Sequence, residues 1–142
     1  MDTAVLHAQL KEHFGFEKFR PHQEAIIQTV LSNKDALAIM PTGGGKSICF
    51  QLPALLLPGI TVVVSPLIAL MKDQVDSLKA NGIAACFINS TQTSQEQDLL
   101  LDGLRDNTIK LVYVAPESLS YLDNACNSLQ ISLIAIDEAH CI

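Results

Sequence analysis

The sequence predicts an α/β domain built on a mainly parallel sheet with helices over both faces. Three observations predict it. Short apolar runs of near-continuous character alternate with longer amphipathic segments. The apolar bulk comes from Leu, Ile, Val and Ala, with aromatics at 5% and no Trp. A glycine-rich turn falls between one apolar run and one helical segment.

Five runs read as buried strands: Ala36 to Met40, Thr61 to Ser65, Ala84 to Ile88, Lys110 to Val114 and Ser132 to Ile136. Their lack of polar alternation suits strands covered on both sides. Helical segments are expected over about 22–32, 46–57, 67–81 and 94–106. Pro58-Gly59 and Asn81-Gly82 are stop signals after two of them. Thr93-Ser-Gln-Glu96 has capping-box spacing ahead of another. The stretch from Ser118 to Gln130 is the least regular and reads as loop with some helical turn. Strand followed by helix, repeated, implies crossover connections and parallel pairing.

With 142 residues, 49% hydrophobic and 17% charged, the chain matches one ordinary domain with a real core. Nine basic against fifteen acidic residues give a net charge of −6. That excludes a broad cationic surface for gripping a polyanion and leaves room only for local contacts. Cys49, Cys86, Cys126 and Cys141 contain no CxxC pair, and four reduced thiols are expected. The first residues show no signal peptide, and no apolar stretch is long enough to cross a bilayer. A cytoplasmic protein without a membrane partner is expected. The chain stops soon after its last expected strand, so the domain is expected to be truncated on its C-terminal side.

Met40-Pro-Thr-Gly-Gly-Gly-Lys-Ser47 follows an expected strand and opens an expected helix, the context a phosphate-binding loop requires. Phosphate oxygens need donors that approach from several sides. Gly43, Gly44 and Gly45 carry no side chains, so backbone N–H groups beside Thr42 can curl around a β-phosphate. The following helix adds its N-terminal dipole. Lys46 sets a positive charge against the β/γ-phosphates, and the Ser47 hydroxyl can ligate Mg²⁺. The strict pattern begins with Gly, where this chain has Met40; a branch of helicases uses the Pro-Thr-Gly-x-Gly-Lys-Ser form. A flexible Gly-rich turn with a chance Lys-Ser is the bland alternative.

Leu133-Ile-Ala-Ile-Asp137-Glu138-Ala-His140 is an apolar strand ending in two acids. In P-loop enzymes the first acid at such a strand end holds Mg²⁺ and the next deprotonates the attacking water, which assigns Asp137 to metal and Glu138 to general base. A solvated acidic turn is the alternative. His140 either couples the nucleotide site to a partner domain or caps the strand end. Lys46, Asp137 and Glu138 are the candidate catalytic residues. The fold expected is a three-layer P-loop NTPase domain with the sheet carrying both motifs at strand carboxyl ends.

Further stretches carry a resemblance. Phe14-Gly-Phe16-Glu-Lys-Phe19-Arg20-Pro21-His-Gln23 resembles the adenine-reading motif of RecQ helicases. Val64-Ser-Pro-Leu-Ile-Ala-Leu-Met-Lys-Asp-Gln74 resembles their first DNA-contact motif, while Asn89-Ser90-Thr91-Gln92 and Tyr113-Val-Ala-Pro-Glu117 resemble two later ones. Asp137-Glu-Ala-His-Cys-Ile142 has the RecQ form of the acidic motif. The chain is similar to this family along its whole length and looks like a bacterial member.

The resemblance implies the first of two RecA-like lobes, incomplete here, with residues 1–32 carrying an adenine-recognition helical segment. Gln23 would hydrogen-bond the adenine edge, with Arg20 near the nucleotide and Phe16 or Phe19 packing there; Phe14 is read as core. Ser65, Pro66, Ser90 and Thr91 would lie along a DNA strand; Lys72 would join them or be a solvated helix residue. It also implies ATP and Mg²⁺, single-stranded DNA and duplex junctions as partners, 3′ to 5′ movement, and a second lobe in cis supplying an arginine finger. Zinc is expected only in a region outside this chain. The 142 residues alone are expected not to unwind DNA.

Overall fold

Four of the five expected apolar runs form strands, and they assemble one parallel sheet. The computed structural model describes residues 2–40 and 45–138. The chain divides into two units, residues 1–57 and 58–142.

In the second unit the strands are β1 (Ile60–Val64), β2 (Ala85–Ile88), β3 (Leu111–Val114) and β4 (Ile131–Ile136), in the order β2-β3-β1-β4. Every neighbouring pair is parallel. Val62 stands opposite Val112 on one side and Ile134 on the other, and Cys86 opposite Val112. The period of two sorts the side chains. Ile60, Val62, Val64, Cys86, Ile88, Val112 and Val114 share one apolar cluster. It is completed by Leu101 and Leu104 of α5 (Ser94–Arg105) and by Leu122 of α6 (Leu119–Ala125). A third helix, α4 (Ile68–Ala80), lies beside β2 and buries Met71, Val75 and Leu78 at helical spacing. Burial also pushes the Cys86 thiol up to about 12, so it behaves as a small hydrophobe rather than a nucleophile.

The stop and start signals act as expected. Gly59 and Gly82 take left-handed φ values of 76° and 80° after their helices. Thr93 caps α5 through a complete capping box with Glu96. The stretch expected to be mostly loop is more ordered than its pattern suggested. Pro116–Ser118 is a 3₁₀ turn, α6 follows at once, and Cys126–Ser128 is a second 3₁₀ turn. Pro116 starts the turn because its fixed φ suits a first helical position. In the edge strand β4, Ile134 and Ile136 are 61% and 60% exposed.

The first unit is helical: α1 (Thr3–Phe14), α2 (Gln23–Leu31) and α3 (Ile48–Leu56). The Asp2 side chain accepts from the Ala4 N–H and starts α1, while Gly15, at φ 74°, ends it. Leu6, Leu10, Ile27, Ile48 and Leu52 form the core, with Phe14 and Phe19 packed against it. Here one expectation fails. Ala36 to Met40 is not a strand: the segment is irregular, and Leu37 and Ile39 are 87% and 90% exposed. An apolar run becomes a strand only when a neighbour supplies ladder partners, and the sheet's ladders are all made by other segments.

Candidate nucleotide and nucleic-acid sites

Within the first unit, two segments far apart in sequence meet. Gln23 opens α2 and is 2% exposed. Its Oε1 accepts from the Arg20 backbone N–H at 2.7 Å, and its Nε2 donates to the Gly45 carbonyl at 2.7 Å. The adenine-type motif and the phosphate turn are therefore joined by one amide. Gly45 has φ 79°, a conformation side chains rarely adopt. A Cβ added there would stand 2.6 Å from Gln23 Nε2 and 3.3 Å from Arg20 Cδ. Glycine at 45 is thus required twice, by backbone geometry and by the close approach of Gln23.

After Gly45 the chain turns through Lys46 and Ser47, both half-buried, into α3. The first intrahelical bonds run from Cys49 to the Lys46 carbonyl (3.0 Å) and from Gln51 to the Ser47 carbonyl (2.9 Å). The Ser47 hydroxyl makes no capping bond, so it is not committed to the helix end. A cation, a hydroxyl and the first N–H groups of a helix are the donor set that a magnesium triphosphate asks for. These residues fit that ligand chemically. Thr42, Gly43 and Gly44 lie outside the described residues, as does His140.

Phe16 is 48% exposed, and Arg20 is exposed. Phe19 is used otherwise, packing on the helical core with its ring 5.0 Å from that of His7. Phe14 is core, as expected. Removing the Gln23 side chain has a calculable consequence. After two hydrogen bonds the amide still holds one N–H and acceptor capacity, enough to touch a base edge as well. Gln23→Ala is expected to raise the KM of every nucleoside triphosphate, because the Gly45 tether is lost, and to raise that of ATP further. The scale is about tenfold for one buried polar network. Steady-state hydrolysis of ATP and GTP checks it; equal losses would remove Gln23 from base reading.

In the second unit the remaining candidates collect at one edge, the carboxyl ends of the parallel strands. Ser65 follows β1, Asn89 follows β2, Ala115 follows β3 and Asp137 follows β4. Backbone bonds continue the ladder one step past the strands. Asp137 N–H donates to Val64 O at 2.9 Å, Ser65 N–H to Val114 O at 3.0 Å, and Ala115 N–H to Ile88 O at 3.4 Å. Asp137 is 8% exposed, and its Oδ1 accepts from the Glu138 N–H at 3.0 Å. Glu138 itself sits at φ 54°, in the left-handed region that non-glycine residues seldom enter.

Ser65 is buried, and its Oγ accepts from the Leu67 N–H at 3.2 Å. Pro66 is half-buried beside it. Ser90 and Thr91 are exposed at the end of β2. Lys72 lies apart, on the outer side of α4, paired with Asp76 at 2.7 Å. That hydrogen bond raises the Lys72 pKa, and the pair is the ordinary i,i+4 arrangement of a solvated helix. Tyr113 is fully buried, so it serves the core. Among the described residues no cluster of three or more His, Cys, Asp or Glu could cage a metal by itself.

The pattern of letters did not disclose the amides that shape the loop after β2. Asn89, 2% exposed, and Gln92 and Gln97 hold it. Asn89 and Gln92 belong to the stretch that resembles a RecQ motif, but nothing in that stretch signals that they and Gln97 brace the loop.

Comparison with known proteins identifies relatives of the chain. The family profile described as DEAD/DEAH box helicase matches residues 20–142. The chain is 51% identical to the ATP-dependent DNA helicase RecQ of Pasteurella multocida, over 97% of its own length and 22% of the relative's. It is 50% identical to the Bacillus subtilis protein of the same name, over 94% of the chain and 23% of the relative. Its identity to the Haemophilus influenzae one is 50%, over 94% and 22%. The chain therefore spans less than a quarter of the length of these relatives.

Proposed function

Since the chain belongs to the DEAD/DEAH box helicase family, we propose that it is the nucleotide-binding part of the first motor lobe of a RecQ-type ATP-dependent DNA helicase. The observation that carries this is the half-identity to DNA helicases over nearly the whole chain. Lys46 would neutralise the β/γ-phosphates, and Ser47 and Asp137 would hold Mg²⁺, which would screen the phosphate charge. Glu138 accepts a proton from the attacking water. Phe16, Arg20 and Gln23 receive the adenosine end, and Thr42 to Gly45 cradle phosphate.

DNA is met locally, at the strand ends that carry Ser65, Pro66 and Ser90, because a chain of net charge −6 offers no broad cationic face. Hydroxyls and exposed backbone hold phosphates without reading sequence. A second RecA-like lobe in cis supplies an arginine finger, worth about 10³–10⁵ in rate. Movement is 3′ to 5′ along one strand, in DNA recombination and repair, in the cytoplasm, with His140 coupling hydrolysis to the partner lobe. Zinc belongs to the part of the protein outside these residues, and these residues alone do not unwind DNA.

The test uses the full-length protein. Its ATPase rate is measured with single-stranded DNA and with RNA of equal length. DNA is expected to stimulate on the order of tenfold or more, and RNA far less, as befits coupling between two sites. Stimulation by RNA equal to or above that by DNA would sink the reading.

A further inference from the structure

The loop after β2 contains two adjacent hydroxyls, Ser90 and Thr91, and the structure treats them differently. Asn89 is buried at the end of β2. Its Oδ1 accepts from the Thr91 backbone N–H at 2.9 Å. A backbone N–H can only donate, so the atom facing it must be the amide oxygen, and the orientation of the Asn89 carboxamide is fixed. The Thr91 hydroxyl points at that same oxygen. It too must donate, and it has one proton. The Thr91 hydroxyl therefore turns only lone pairs towards an incoming anion, and a phosphate oxygen offers lone pairs in return.

The rest of the loop is braced as firmly. Gln92 Nε2 donates to Phe87 O at 2.8 Å, and Gln92 Oε1 accepts from the Asn89 N–H at 3.3 Å. Gln97 Nε2 donates to Asn89 O at 3.0 Å. Asn89 is thus engaged through its N–H, its carbonyl and its side chain, and the segment between Ile88 and Thr93 is held from within. Ser90 stands exposed at its tip.

We propose that Asn89 is a positioning residue that commits the Thr91 hydroxyl to the loop and presents Ser90 as the one side-chain hydroxyl of this loop that donates to a nucleic-acid phosphate. This rests on the proposed DNA contact at the strand ends. It assigns opposite roles to two neighbours that the sequence motif treats alike.

Full-length protein is titrated with a single-stranded oligodeoxynucleotide while ATPase rate and melting temperature are followed. Ser90→Ala is expected to raise the DNA concentration for half-maximal stimulation on the order of tenfold, the scale of one lost charge-assisted hydrogen bond. The effect falls on that concentration more than on the maximal rate, and the melting temperature stays put. Thr91→Ser keeps the hydroxyl and the N–H and is expected to match the parent. Thr91→Val breaks the brace, so the melting temperature falls while the DNA response weakens less than with Ser90→Ala.

Two results overturn the inference. One is a Thr91→Val variant of unchanged melting temperature that loses DNA as severely as Ser90→Ala. The other is a parent protein stimulated by DNA whose Ser90→Ala variant responds identically; that outcome leaves the helicase reading intact. A parent protein without any DNA stimulation fails both.

Discussion

Lys46→Ala in the full-length protein is expected to lower kcat/KM for ATP hydrolysis by at least about 10²-fold, an electrostatic loss of the size seen when one preorganised charge contact is removed from a reacting centre. Hydrolysis spreads negative charge over the phosphoryl oxygens, and a fixed cation beside them stabilises that charge more than the ground state. The side chain sits half-buried in the turn ahead of α3, outside the helical core of Leu6, Leu10, Ile27, Ile48 and Leu52. The variant should therefore remain folded, and melting curves will show it. Arginine is no substitute, because its planar fork cannot act as the compact point charge of an ammonium. Hydrolysis within a few-fold of the parent would remove Lys46 from the reaction.

Glu138→Gln is expected to separate binding from chemistry. Glutamine keeps the volume and the left-handed backbone demand of Glu138 but cannot take a proton. ATP affinity, read with a fluorescent nucleotide, should change little. Single-turnover hydrolysis should fall by about 10²–10⁴-fold, the usual contribution of a general base. Near-normal turnover would mean that another group activates the water. Asp137 is no ready replacement, since its Oδ1 already accepts the Glu138 N–H and its proposed duty is to the metal.

Much of the sheet was legible because its message is one-dimensional. β1 to β4 are apolar on both faces, and a short continuous apolar run between turn residues has few other fates. The same rule misled at Ala36 to Met40. Hydrophobicity states a demand for burial; it does not name the neighbour that would supply ladder bonds. The region around α6 failed for the opposite reason. Leu119, Leu122 and Ala125 have helical spacing, but Asn124, Asn127 and the serines around them read as turn formers. The α1 helix is not among the helices expected from the sequence, although Asp2 starts it, Leu6 and Leu10 form its buried face and Gly15 ends it.

For the candidate sites, residue types were legible and commitments were not. Nothing in the letters says that the Gln23 amide reaches Gly45, or that Lys72 spends its charge on Asp76. Both depend on distances between chain segments or on rotamers, which a motif does not encode. The contrast between Ser90 and Thr91 is of the same kind, since it turns on where a single proton points.

The hydrogen bonds from Asp137 to Val64, Ser65 to Val114 and Ala115 to Ile88 act as a stiff crossbar over the strand tips. Two of them lie in the ordinary N–H···O range, while the bond from Ala115, at 3.4 Å, is long. From Asp137 this row reaches the strand end of Ser65 in one rung, that of Ala115 in two, and the loop of Asn89, through Ile88, in three.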